Sequence, residues 1–298
     1  MSLSPNLRGA LLMTGSMTAF TVNDAFMKVL SDGFPFFQLL LLRSVLTTAF
    51  IALLAWQAGA LGVRVSGENR NLVLIRTIAE VGAAYFFLNA LFNMPIANVT
   101  AIIQALPLTV TLGAAMLLNE PVGWRRFVAI GIGFLGVMLI VRPGGEGFSL
   151  YSVYALIAVL CVTIRDLAAR RLSQEVPSLF VAFTAAIGVT VFSFLGAMFV
   201  DWTPMEGLDV ALLVCAALAI IGGYLFSVMA MRVGEIGFVA PFRYSSLLAA
   251  LLIGLLVFGE WPDRWTQLGA AIVVATGLFT LWRERKQAHV PSPAFRQR

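Results

Sequence analysis

The sequence predicts an all-α membrane protein of ten transmembrane helices, arranged as two inverted five-helix repeats around a central cavity. Three observations carry this expectation. Apolar residues make up 60% of the 298, and Asp, Glu, Lys and Arg only 12%, about half the charged share of an ordinary globular protein. Apolar runs of the ~20 residues needed to cross a hydrocarbon core recur along the chain, whose mean hydropathy is +0.91. Polar patterns of the first half also return in the second at a nearly fixed offset.

The first span, 9–30, follows Arg8 and runs through Asn23, Asp24 and Lys28. No small-residue cleavage site follows a short apolar region, so it reads as a retained helix. Further spans fall at 36–57, 72–92, 96–118 and 126–142, then at 151–171, 178–199, 209–230, 236–258 and 265–282. The fourth and ninth are the most interrupted, with Pro95 and Pro107 in or beside one and Pro241 in the other. Proline frees carbonyls that can face a cavity. In the fifth, Gly131-Ile-Gly133-Phe-Leu-Gly136 matches the dinucleotide-binding fingerprint by letter, but that motif needs a preceding strand. Inside a continuous span, these glycines, like Gly222-Gly223 and Gly269-Ala270-Ala271, read as close helix packing.

The longest connection, 58–71, leaves no room for a soluble domain. Loops rich in Lys and Arg stay cytoplasmic. With both termini inside, only Lys28, Arg142 and Arg264 lie outside, and Arg43, Arg165 and Arg243 fall within spans; the rest of the 20 basic residues lie on the inner side. The net charge of +5 therefore follows from topology and points to no nucleic acid. Beyond Trp282, Arg283, Arg285 and Lys286 read as an anchor on anionic lipid.

Several chemistries are excluded. Cys161 and Cys215 sit singly in apolar runs, and the only histidine, His289, lies in the polar tail, so neither a disulfide framework nor a metal or triad constellation is available. No Gly-Lys dipeptide exists to build a Walker A loop. No cofactor is implied.

The internal comparison is the most informative step. Thr21 to Ser31, followed by Pro35, aligns without gaps on Thr163 to Ser173, followed by Pro177, at an offset of 142 residues. Ala101 to Glu120 aligns on Pro241 to Glu260 at an offset of 140. Five spans per half is an odd number, so the second half enters the membrane upside down relative to the first.

Two repeats ending their fourth spans in Asn119-Glu120-Pro121 and Gly259-Glu260-Trp261, with Pro241-Phe242-Arg243-Tyr244-Ser245-Ser246 in the ninth span, resemble the drug/metabolite transporter superfamily, EamA type. The resemblance runs from about residue 8 to 285. Asn119 departs from the usual Gly, which affects the turn. The halves are then an EamA-like repeat at 8–142, a second, inverted one at 151–285, and a cytoplasmic tail at 286–298. The resemblance implies a multi-pass protein of the bacterial inner membrane, similar to amino-acid exporters, that exports small metabolites by alternating access. Amino acids, aromatic and other neutral ones included, lead the substrate classes; multidrug or nucleoside- and purine-type export is the alternative. Export rather than uptake rests wholly on the resemblance. An intramembrane enzyme or a non-transporting assembly subunit finds no support in the residues.

Charged residues inside spans are costly and mark function or pairing. Glu80, Arg165, Asp166 and Arg243 fall at similar depth in the inner half, and Asp24, Lys28 and Arg43 form an outer group, Asp24 and Lys28 sharing a helix face at i,i+4. Ion pairs that hold or gate helices are the favoured reading; protonation of Glu80 or Asp166 during transport is the other. Gln104 corresponds to Tyr244 in the repeat, and with Asn23, Tyr85, Asn89 and Tyr224 they would line a cavity offering hydrogen bonds and aromatic faces. The expected partners are thus a small-molecule substrate, amino acids foremost, the lipid bilayer and protons. Nothing in the sequence sets an oligomeric state, and a monomer is compatible with it.

Overall fold

A computed structural model describes residues 4–63, 65–118, 120, 122–143, 148–173 and 175–288. Asn119, Pro121, His289 and positions 289–298 of the tail lie outside the described residues. The chain forms α1 (Pro5–Ser31), α2 (Phe36–Gln57), a 3-10 turn (Ala60–Gly62), α3 (Gly67–Asn93), α4 (Ile96–Ile103), α5 (Leu106–Leu117), α6 (Trp124–Val141), α7 (Leu150–Arg171), α8 (Ser178–Ala197), α9 (Gly207–Val233), α10 (Ile236–Val239), a second 3-10 turn (Ala240–Tyr244), α11 (Ser245–Phe258) and α12 (Arg264–Ala288). No strand occurs among the described residues. These elements make ten crossings, because α4 with α5, and α10 with its 3-10 turn and α11, are each one interrupted span.

Among the described residues, nine spans are long and apolar enough to cross a membrane. The first crossing, α1, is 27 residues long but carries Asn23, Asp24 and Lys28. Its polar side chains are turned inward: Thr21, Asn23 and Lys28 are all buried. The helix starts on the Ser4 hydroxyl, which accepts from Leu7 N at 3.3 Å, with Pro5 in the first turn where no N–H is needed.

Helix packing reproduces the inverted repeat. α1 lies along α9 and α7 along α3, one contact made twice with the halves exchanged; α2 on α8, α6 on α12 and α4 on α11 each exchange with themselves. Thr48 and Thr190, 142 residues apart, meet hydroxyl to hydroxyl at 2.9 Å between α2 and α8. Gln104 Nε2 donates to Ser246 Oγ, also 142 residues away, at 3.0 Å. Both contacts mark the pseudo-twofold axis. The interruptions fall where the prolines lie: Pro107 enters the first turn of α5, and Pro241 lies in the 3-10 turn before α11.

Hydrocarbon supplies no hydrophobic drive between helices, so close approach is what packs them. α6 and α12 touch backbone to backbone: a methyl on Gly269 would fall 2.5 Å from Gly136 O, and one on Gly136 2.9 Å from Gly269 O. At one end of this pair Arg142, the left-handed cap of α6 (φ 48°), pairs with Asp263, which caps α12 by accepting from Thr266 N at 2.9 Å. We call that side the far face, and the side carrying the start of α1 and the end of α12 the termini face. Partial burial alone would raise the Asp263 carboxyl, but the hydrogen bonds from Arg142 and Thr266 outweigh it and hold the carboxyl below its ordinary value.

Two outcomes follow from this packing. Gly269→Ala destabilises the protein by about 1–3 kcal/mol, since the obstacle is backbone, whereas Gly222→Ala, whose methyl meets open space, leaves the thermal midpoint in detergent unchanged. Because the folded carboxyl of Asp263 titrates below the unfolded one, its stabilisation is present at neutral pH and is lost as pH falls through the carboxylate range. Asp263→Asn therefore lowers the midpoint at pH 7 and flattens its fall on acidification.

Candidate functional site

A cavity of about 490 Å³ lies between the halves. Its walls come from the middle of α1 (Thr21, Asp24), from Phe87 of α3, from both sides of the α4–α5 break (Thr100, Gln104, Thr111), from the end of α7 (Asp166, Arg170) and from the second 3-10 turn and the start of α11 (Arg243, Tyr244, Ser246). Gln104 and Tyr244 of the expected binding residues are thus on the wall. Gln104 is held by Ser246 Oγ, and Tyr244 sends its hydroxyl against Gly277 of α12, where a methyl would lie 1.7 Å away.

The other expected binding residues sit elsewhere. Asn23 is buried beside the cavity, donating to Asp24 Oδ1 at 2.9 Å and accepting from Arg43 at 3.4 Å. Tyr85 belongs to an aromatic cluster with Phe36, Phe37, Phe86 and Phe192, and Asn89 donates to the Tyr85 carbonyl one turn back in α3. Tyr224, on α9, packs edge-on against Phe20 with its ring 47% exposed.

The charged residues sort into pairs. Arg165 holds both Asp166, at 2.8 Å, and Glu80, at 3.3 Å, and Arg76 approaches Glu80 at 3.9 Å. Arg243 is not part of that cluster and lies on the cavity wall. In the other group, Lys28 and Asp24 make no pair with each other. Lys28 reaches past its own helix, because two acceptors converge beyond it: Glu260 Oε1 at 2.8 Å and the Met94 carbonyl at 2.5 Å, with the Phe258 ring 5.0 Å below. Glu260 Oε2 accepts in turn from Ile96 N at 3.1 Å. This ties the end of α1, the α3–α4 turn and the α11–α12 turn together at the far face.

The same construction stands at the opposite end. Arg170, 142 residues after Lys28, pairs at 3.3 Å with Glu120, 140 residues before Glu260. Backbone caps set both glutamates: Glu260 N donates to Gly254 O at 2.8 Å and Glu120 N to Ala114 O at 3.2 Å, the six-to-one bond of a Schellman turn. Gly259 supplies the left-handed residue of the first (φ 63°). Burial separates the two pairs. The Lys28 and Glu260 side chains are 11% and 26% exposed, those of Arg170 and Glu120 45% and 46%. The cavity is shut at the far face and extends to Arg170 near the termini face. Sequence reasoning read Glu120 and Glu260 only as turn signatures. The two offsets, which carry a basic residue onto a basic residue and a glutamate onto a glutamate, were the signal that could have paired them.

A model of the EamA-like transporter family matches residues 7–142 and again 149–282. The chain is 31% identical over 288 residues to a riboflavin transporter of Vibrio cholerae, covering 94% of this chain and 95% of the relative. It is 27% identical over 277 residues to a pseudopaline exporter of Pseudomonas aeruginosa, covering 89% and 93%. It is also 27% identical over 194 residues to an S-adenosylmethionine uptake transporter of Rickettsia prowazekii, covering 64% of this chain and spanning 65% of that relative's length. A solved crystal structure, 21% identical, aligns over 98% of this chain and 100% of its own with a TM-score of 0.59, which shows the shared fold.

Removing one member of the buried pair leaves the other charge uncompensated, so Lys28→Met or Glu260→Gln costs about 3 kcal/mol or more. Double-mutant cycles on unfolding in detergent give a coupling for Lys28–Glu260 larger than that for Arg170–Glu120, which, being solvent-screened, stays at about 1 kcal/mol or below.

Proposed function

The chain belongs to the EamA-like transporter family and is a membrane transporter, and from that premise we propose that it is a secondary exporter of the bacterial inner membrane working by alternating access on small amphoteric metabolites, amino acids and molecules built on them. The observation that carries this reading is the pair of repeat-related ties, one buried and one exposed, at the two ends of one cavity. Because the halves are inverted copies, exchanging their conformations opens the Lys28–Glu260 end and buries the Arg170–Glu120 end. The charge bias of the loops supports cytoplasmic termini, so this conformation presents its cavity to the cytoplasm, the side from which an exporter loads. Glu80, engaged by Arg165 and Arg76, is better suited to holding α3 on α7 than to carrying a proton.

Substrate polarity follows from the wall, where carboxylate, guanidinium, hydroxyl and amide groups alternate with Phe20 and Phe87. Among the relatives, S-adenosylmethionine is itself an amino-acid derivative. A second reading, a neutral aromatic metabolite, is favoured by those two rings and by the riboflavin transporter.

Purified protein in liposomes loaded with amino acids, dipeptides, S-adenosylmethionine and riboflavin distinguishes the readings. The proposal expects efflux of amphoteric solutes well above protein-free vesicles, abolished by cross-linking the far-face tie shut. Efflux of riboflavin alone selects the second reading, and no efflux of any solute overturns both.

A further inference from the structure

Four charged side chains line the cavity, and two are neutralised within the protein: Asp166 by Arg165 and Arg170 by Glu120. The other two are not. Arg243 makes no ion pair and donates no hydrogen bond from its side chain among the described residues, and Asp24 accepts a hydrogen bond from Asn23 but makes no ion pair. An uncompensated charge at membrane depth is expensive, and both of these face the same water-accessible space.

Their levels differ. Asp24 lies seven residues before the far-face end of α1 at Ser31, and Arg243 seven residues after the termini-face start of α10 at Ile236. At about 1.5 Å per helical residue, each is about 10 Å in from its own face. In a hydrocarbon layer about 30 Å thick, roughly 10 Å then separates them along the membrane normal. Between them the wall is uncharged, formed by Gln104, Ser246, Tyr244 and the rings of Phe20 and Phe87.

We propose that Arg243 and Asp24 are the two ends of one substrate site, binding an elongated amphoteric metabolite with its carboxylate on Arg243 toward the termini face and its ammonium on Asp24 toward the closed face. This rests on the transporter reading and narrows it. The charges of a free α-amino acid are only about one residue apart, whereas an extended chain reaches about 3.3–3.6 Å per residue, so a molecule of about tripeptide length fills the span. Free amino acids engage one end at a time and bind weakly. An amino-acid conjugate or short peptide engages both.

The test uses the full chain in detergent and calorimetric binding of four probes: phenylalanine, the tripeptide glycyl-phenylalanyl-glycine, its N-acetyl form and its C-terminal amide. The tripeptide binds more tightly than phenylalanine. Arg243→Gln weakens the free tripeptide about tenfold, the worth of a charged hydrogen bond, but barely changes the amide; Arg243→Lys restores part of the loss. Asp24→Asn weakens the tripeptide by a similar factor and barely changes the N-acetyl form. Because each loss is read against a change on the ligand, a variant that merely disturbs the fold weakens all probes alike, and that outcome overturns the assignment. Equal or tighter binding of phenylalanine overturns it too, as does the absence of binding by every probe. A protein that moves solutes in liposomes yet fails this comparison keeps the transporter reading and loses the two-ended site.

Discussion

A charge placed in hydrocarbon must find its partner inside the protein, and for Lys28 the partners belong to segments far away in sequence. Its ammonium draws together Glu260 and the Met94 carbonyl, and Glu260 accepts the Ile96 amide as well. One ion pair therefore fixes four segments at the far face and seals the cavity there. Such a pair gives little net stability over an apolar substitute, because desolvation offsets most of its attraction. Its value is registry: no other arrangement of these segments satisfies the same donors and acceptors.

The inverted repeat gives that tie a counterpart. Arg170 and Glu120 occupy the equivalent places in the opposite halves, set by equivalent backbone caps, but remain half exposed. The contrast is what an asymmetric state of a symmetric design requires, since both ends cannot be buried while the cavity communicates with one face. Between the ends, the broken crossings α4–α5 and α10–α11 place side chains on the wall that a continuous helix would turn away. The Gln104–Ser246 bond on the pseudo-twofold axis joins them.

The sequence made the architecture readable because hydrophobic runs and a gap-free repeat are one-dimensional signals. The ten crossings fall where the apolar runs lie, and Pro107 and Pro241 mark the interruptions. The pairing of charges was less legible, since depth along a helix is visible in sequence but azimuth and tilt are not. Asp24 and Lys28 share a face by spacing, yet Lys28 turns to acceptors 66 and 232 residues away. Arg243 sits at the depth of Glu80 and Arg165 but on a different wall. Tyr85, read as a cavity residue, is drawn into a ring cluster, a packing preference that its spacing in α3 does not encode.

The central claim is that the two ties are alternatives, one closed when the other is open. Paired spin labels measure this directly in protein whose Cys161 and Cys215 have been replaced: Asp32→Cys with Trp261→Cys across the far face, and Met116→Cys with Glu175→Cys across the termini face. The account predicts that transported solute lengthens the far-face distance and shortens the termini-face distance in the same fraction of molecules. Distances that change together, or a far-face pair that stays fixed while solute is transported, contradict it.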